Sequence, residues 1–299
     1  MPSPDSLKTL RRLLLAKAGV GLVVFGGVVA ASALGARGLT LGEWQAELRR
    51  TDEPRLAWRS IDKKHWQAVA PGGGEPPEVT DAREGTGAGC PTGMVRVKGM
   101  ARREMHGEMT GEIERLQDAA CTDWISRDFP ARCRRYDRDK IAAEIAKLPT
   151  APLDVCMDRF EYPNVAGEYP MIVVTYREAD ALCKQGGKRL CTESEWTFAC
   201  EGEEVRPYPY GWERDTTACV IDRAWRPFKE GALYPRDADK ARLELDRLWQ
   251  GEPSGSRNGC RSPFGVYDMT GNVDEWTTNV RKTGYASVLS GGSGGRVRA

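Results

Sequence analysis

The pattern of polar and apolar positions predicts two short capped helices in the second half of the chain. Thr175 and Glu178 have the spacing of a capping box, and so do Thr192 and Glu195. In such a box the threonine side chain accepts a bond from the third helical amide, and the glutamate reaches back to the cap. Apolar residues at helical spacing follow each box, and Gly186 suits the end of the first helix.

Shorter patterns predict further elements. A turn at residues 90–93 leads into a strand, and the β-branched run at 171–174 predicts another strand. Asp139 is predicted to cap a helix over residues 140–148, where three apolar side chains share one face. A charged helix is predicted within residues 236–249 as a surface insertion.

Two stretches have weaker patterns. Residues 102–135 are polar without a clear period, and we predict irregular structure there. Residues 42–70 carry tryptophan and leucine among many charges. This pattern is compatible with one or two short amphipathic helices or with a solvated stalk.

The segment at residues 259–277, GCRSPFGVYDMTGNVDEWT, has the densest set of turn and strand signals. Its apolar run at 266–269 predicts a strand, which a Thr-Gly-Asn turn closes. Asn272, Asp274 and Glu275 then supply oxygen donors within four positions, as a hard cation such as calcium requires. A polar turn that precedes a core tryptophan, Trp276, explains the same residues without a metal.

The N-terminal region carries one long apolar run. Residues 18–36 contain no charge and follow four basic residues, an order that retains the N-terminus in the cytoplasm. Nineteen residues match a bilayer core of about 30 Å, so a transmembrane anchor is predicted. The Ala-Ser-Ala sequence at 31–33 also fits a cleaved signal peptide, which would leave the body secreted or periplasmic.

This apolar run sets the predicted domain organisation. Residues 1–17 form a basic cytoplasmic terminus, and residues 18–36 form the anchor or signal segment. Residues 37–89 form a stalk that ends in a Pro- and Gly-rich linker, and residues 90–299 form the main domain. The body is therefore predicted to lie outside the cytoplasm.

Charge and cysteine content narrow the class of protein. The 44 basic and 43 acidic residues give a formal charge of +1, which does not favour a nucleic-acid partner. All nine cysteines follow the apolar run, and an oxidising compartment would pair most of them. Three or four disulfides are predicted, and their connectivity does not follow from sequence.

Three motifs in order resemble one known family. They are GKRLCTESEW at 187–196, YPYG at 208–211, and GVYDMTGNVDEW at 265–276. This set is similar to that of the formylglycine-generating enzyme, or sulfatase-modifying factor, family, and the resemblance extends over about residues 90–299. It implies an α+β domain with the C-type-lectin-like fold of that family and little regular secondary structure. Asp158 and Glu161 resemble the acidic pair of a family strand.

The resemblance also bears on cofactors. Catalytic members carry two copper-binding cysteines after a Gly-Gly-Ser strand, which residues 288–293 resemble. Arg296 stands near the position of the first of them, and a guanidinium offers no lone pair to a metal. No cysteine follows Cys260, so copper is not expected, and the family's last strand is missing as well. The resemblance implies a structural calcium ion on Asn272, the Val273 carbonyl and Glu275.

Two functions from different classes follow as hypotheses. The first is an exported, membrane-tethered, non-catalytic module that binds a protein or glycan ligand. The second is a copper-dependent oxidoreductase that converts sulfatase cysteines to formylglycine and whose catalytic tail is missing from this chain. Iron-dependent relatives of the family need a histidine cluster, and this chain has two histidines, His65 and His106.

Overall fold

The chain folds into short helices and small antiparallel sheets. The computed structural model describes residues 57–60, 66–69, 89–102, 111–128, 132–279 and 287–291. The strands of this part are β1 Ala57–Ser60, β2 Trp66–Val69, β3 Met94–Arg102, β4 Cys121–Ser126, β5 Arg132–Tyr136, β6 Thr150–Asp158, β7 Met171–Ile172, β8 Glu275–Thr278 and β9 Ser287–Ser290. The α-helices are α1 Glu112–Ala119, α2 Arg138–Ile145, α3 Tyr176–Gln185, α4 Glu193–Glu201 and α5 Asp239–Leu248, with one 3-10 turn at Glu230–Ala232. This mixed content agrees with the predicted α+β class.

Four separate sheets account for the described strands. β1, β2 and β7 form a three-stranded antiparallel sheet in that order. The other sheets are the antiparallel pairs β3–β6, β4–β5 and β8–β9. The helices considered for residues 42–70 were therefore wrong where the structure describes this region, because β1 and β2 are strands. Backbone pairing of β2 with β7 decides their conformation, and local periodicity carries no trace of that long-range pairing.

The first core lies between the β3–β6 pair and helix α4. Val95 and Val97 of β3 and Met157 of β6 pack with Trp196 and Phe198 of α4. The segment at 266–269 completes this core, since Val266 and Met269 are buried in it. The predicted strand at 266–269 was wrong, since the segment is a loop with an isolated bridge at Tyr267. Its apolar pattern reflects burial rather than a strand.

A second core includes residues of the stretch 102–135, and the irregular structure predicted for that stretch was wrong. Helix α1 and strands β4 and β5 lie in this stretch, and Ile113 and Cys133 are fully buried. They pack with Ile141 of α2 and with Tyr208, whose hydroxyl donates to the Cys133 carbonyl at 2.7 Å. Few apolar residues are needed here, because the Cys121–Cys133 disulfide joins β4 to β5.

Helix α2 begins two residues earlier than the sequence suggested. Asp137 is its N-cap, and the Asp137 side chain accepts from the Lys140 amide at 3.0 Å. The predicted cap, Asp139, lies instead in the first turn, where a negative charge favours the helix dipole.

Both predicted capping boxes are present. Thr175 caps α3 and Thr192 caps α4, and the backbone amide of each threonine donates to the glutamate three residues on, at 2.9 and 2.8 Å. Each box contributes about 1 kcal/mol to its helix. The caps fix where α3 and α4 begin, and residues 186–191 between them line the cavity described below.

Three disulfides are present, which agrees with the three or four that were predicted. They join Cys90 to Cys156, Cys121 to Cys133, and Cys219 to Cys260. Cys183, Cys191 and Cys200 take no part in these disulfides.

The predicted N-terminal elements lie outside the described residues. These are the basic terminus at 1–17, the anchor or signal segment at 18–36, and most of the stalk and linker at 37–89. Within the part of the chain that the structure describes, none of the helices is long and apolar enough to span a bilayer.

Candidate functional site

A cavity of about 1050 Å³ opens beside the first core. Strand β6 ends on it, the α3–α4 connection forms one wall, and β8 and Leu289 of β9 form another. Apolar side chains of these strands, of β7, of helices α3 and α4, and of the loop at 266–269 line it: Val155, Met157, Ile172, Leu182, Trp196, Val266, Met269, Trp276 and Leu289. Cavities of this size and apolar character are the usual binding sites of proteins.

The basic residues of the cavity wall are already neutralised. The Lys188 ammonium bonds the Asp158 carboxylate at 2.6 Å. The Arg189 guanidinium forms a bidentate pair with Glu195, at 2.7 and 2.6 Å. Because these cations have acidic partners, they leave no net positive charge for a ligand.

The acidic residues are less well compensated. Glu161 is 3 % exposed; its Oε2 accepts from Ser254 and Asn272, while its Oε1 has no hydrogen-bond partner among the described residues. Burial, with Asp268 and Glu275 nearby, raises the pKa of Glu161 well above its usual value. Burial likewise raises the pKa of Glu275 to about 7. The cavity therefore carries an excess of buried acid.

The predicted calcium ligands lie at this acidic side. The Asn272 amide donates to Glu161 at 2.7 Å, and its oxygen accepts from the Glu252 amide at 2.8 Å. The Glu275 carboxylate accepts from the Trp196 indole, which ties β8 to α4. Val273 lines the cavity between them. No group of three or more His, Cys, Asp or Glu side chains in the described residues is arranged to hold a metal.

Two of the free thiols, Cys183 and Cys191, also line the cavity. Burial, with Glu195 and Glu275 nearby, raises the pKa of Cys191 to about 12. Burial and the negative charge of Asp158 raise the pKa of Cys183 as well, against an opposing effect of Lys188. Both thiols are therefore held in the protonated, weakly reactive form.

Sequence reasoning did not identify two residues of this acidic region. Asp268 is 3 % exposed and accepts from the Gly255 amide at 2.6 Å, and burial raises its pKa to about 7. Ser254, in a stretch predicted as plain loop, is buried and bonds Glu161 at 2.8 Å. A signal existed for Asp268, because it is the one charged residue within the apolar run 266–269.

The described residues form an α+β domain with three disulfides. This domain contains a large apolar cavity with buried acidic residues on one side. Residues 136–298, more than half of the chain, match the family of the sulfatase-modifying factor enzyme 1-like domain. The chain belongs to this family. The match begins at Tyr136, the last residue of β5, whereas the motif resemblance was expected from residue 90.

Curated relatives include enzymes and a protein named as inactive. The chain is 31 % identical over 114 residues to the formylglycine-generating enzyme of Mycobacterium tuberculosis. It is 29 % identical over 127 residues to the inactive C-alpha-formylglycine-generating enzyme 2 of Bos taurus. It is 32 % identical over 122 residues to the hercynine oxygenase of Mycobacterium tuberculosis.

These matches cover part of each protein. They span 37–39 % of this chain, and 33 %, 33 % and 23 % of the three relatives in that order. The chain therefore spans a third or less of the length of these relatives.

Proposed function

We propose that this chain is a non-catalytic binding module, built on the C-type-lectin-like version of the sulfatase-modifying-factor scaffold. The observation that carries the proposal is the cavity of about 1050 Å³, whose wall is largely apolar. A concave cavity of this size can bury much of a ligand's surface, and a protein or glycan is the ligand class that we assign to it.

The residue at the position of the first copper cysteine favours binding over oxidation. Arg296 stands near that position, and a guanidinium cannot replace a thiolate as a copper ligand. The relative from Bos taurus bears the name of an inactive enzyme, so related chains without the activity have precedent. The same scaffold can therefore serve as a recognition surface.

An oxidase assay tests the non-catalytic role. The purified full chain, supplied with copper and oxygen, should leave a cysteine-containing sulfatase peptide unmodified, as judged by peptide mass. The formylglycine-generating enzyme of Mycobacterium tuberculosis serves as the positive control. Copper-dependent conversion of the peptide cysteine to formylglycine by this chain would establish the oxidoreductase function instead.

The module is presented outside the cytoplasm, tethered through residues 18–36. The three disulfides are consistent with an oxidising compartment. Protease added to spheroplasts should degrade the part from residue 90 onward and spare a tag placed before residue 1. Protection of the whole chain, with the tag, until the membrane is lysed would contradict this location.

Calcium is the proposed structural cofactor, held by Asn272, the Val273 carbonyl and Glu275. All three donors are oxygens, as calcium prefers, and Glu275 lies where burial disfavours an uncompensated negative charge. Calcium at 100 times its dissociation constant should stabilise the chain by about 2.7 kcal/mol, measured as a rise in Tm relative to EGTA. Glu275→Gln should abolish this rise, and an equal rise in that variant would exclude the site.

A further inference from the structure

The cavity wall carries two thiols that the three disulfides leave unused. Cys183 lies in the last turn of α3, and Cys191 directly precedes Thr192, the cap of α4. Both are partly buried, and both line the same cavity. Residues 184–190 separate them, so the pair brackets the connection between the two helices.

The backbone of this connection folds back onto the end of α3. The Lys188 amide donates to the Cys183 carbonyl at 2.8 Å, and the Gly187 amide donates to the Lys184 carbonyl at 3.1 Å. These two bonds, with Gly187 at φ of 67°, form a Schellman motif. Three further residues lead from Lys188 to Cys191, a reach of at most about 11 Å. The motif therefore returns the chain toward Cys183.

Strand β8 holds the other end of the pair. The Thr278 amide donates to the Cys191 carbonyl at 2.8 Å, and Thr192 forms a parallel bridge with Thr278. A negative charge on Cys183 also contributes to the raised pKa of Cys191, so the two thiols lie within electrostatic range of each other. The backbone thus fixes both cysteines on one wall.

The third thiol is in a different environment. Cys200 is fully buried in the first core, and its sulfur donates to the Met269 carbonyl at 3.8 Å. It does not belong to the cavity lining. Cys183 and Cys191 are therefore the natural partners among the three thiols.

We propose that Cys183 and Cys191 form a fourth disulfide, which joins the last turn of α3 to the start of α4 on the cavity wall. Nine cysteines in four pairs leave Cys200 as the remaining thiol. The bond would close residues 184–190 into a ring and so restrict the movement of this wall. The proposal does not depend on which ligand the cavity binds.

A low-molecular-weight disulfide such as oxidised glutathione can serve as the oxidant. The Cys183 thiolate attacks one sulfur of it, the S–S bond breaks, and one glutathione leaves and takes up the proton. Cys191 then loses its proton and attacks the Cys183 sulfur, which releases the second glutathione. Two protein thiols are oxidised, and one glutathione disulfide is reduced to two thiols.

The raised pKa values of both thiols bear on how long the bond lasts. Because Cys183 and Cys191 are held protonated, the exchange is slow to begin. A thiol of high pKa is also a poor leaving group, so an attacking thiol displaces it slowly. These properties favour a lasting structural bond over a rapidly reversible one.

Thiol counting after incubation with oxidised glutathione tests the proposal. The purified full chain, unfolded in guanidinium and alkylated with iodoacetamide without reductant, should carry one carbamidomethyl group, on Cys200. Tryptic digestion should yield peptide 178–184 joined to the peptide that begins at Leu190. Because that second peptide contains both Cys191 and Cys200, the digest is repeated on Cys200→Ala, in which the joined pair should persist.

Single variants provide the matched controls. Cys183→Ser should leave Cys191 as a thiol, and Cys191→Ser should leave Cys183 as a thiol or as its glutathione adduct, with no joined peptides in either. Alkylation of Cys183, Cys191 and Cys200 alike in the wild type would overturn the proposal. A glutathione adduct that persists on wild-type Cys183, or loss of the joined pair in Cys200→Ala, would overturn it as well.

Discussion

Replacing Cys219 and Cys260 together with alanine is expected to lower the free energy of unfolding by about 4 kcal/mol. Their disulfide closes a loop of 41 residues, and the chain-entropy relation gives about 4 kcal/mol for that length. Cys260 also anchors the segment behind the cavity, since the Asp268 amide donates to the Cys260 carbonyl at 3.0 Å. Urea denaturation, followed by far-UV circular dichroism at neutral pH, measures the loss.

The Cys121–Cys133 disulfide provides the matched control. It closes a loop of 12 residues, so its removal should cost about 3 kcal/mol, roughly 1 kcal/mol less. Cys219 and Cys260 are both almost completely buried, as is Cys133 of the control pair, so both double substitutions leave a small void in a core. An equal or larger loss from the 12-residue loop would show that local packing, rather than loop length, sets the stabilities.

Sequence patterns predicted correctly those elements that are stabilised by contacts between residues close together in the chain. The boxes at Thr175 and Thr192 were predictable because all partners of each cap lie within three residues. Strands β1 and β2 were missed because β2 acquires its conformation from β7, about a hundred residues away. The strand predicted at 266–269 failed for a related reason: tertiary burial can place apolar residues in a loop.

The candidate site was predictable in part. The motifs named Asn272 and Glu275, and they also carried Glu161 and Glu195, but no motif revealed which partner each side chain meets. The contact of Trp196 with Glu275 joins residues 79 positions apart. That of Asn272 with Glu161 spans 111 positions. The thiols at Cys183 and Cys191 were visible in the sequence, but their place on the cavity wall depends on how α3 and α4 pack.

The wild-type chain is expected to lose stability as the pH rises from about 4 to 7. The Asp268→Asn substitution is expected to remove most of this loss. Burial raises the pKa of Asp268 to about 7 from an ordinary value of 3.8. Below pH 4 the carboxyl group is protonated in both the folded and unfolded states. As pH rises to 7 the unfolded chain releases this proton while the folded chain retains it, so the free energy of unfolding falls. The full shift corresponds to about 4 kcal/mol.

The variant should therefore nearly match the wild type at pH 4 and exceed it by about 4 kcal/mol at pH 8, in urea denaturation at a series of pH values. Asparagine suits the site because Asp268 has φ of 57°, a conformation that asparagine tolerates. Asp154→Asn is the control of opposite sign. Its bond to Arg96 lowers the pKa of the exposed Asp154 to about 2, so this variant should lose stability at neutral pH and match the wild type below pH 2. A less stable Asp268→Asn variant at pH 8 would mean that a cation already compensates the buried carboxylate, as bound calcium would.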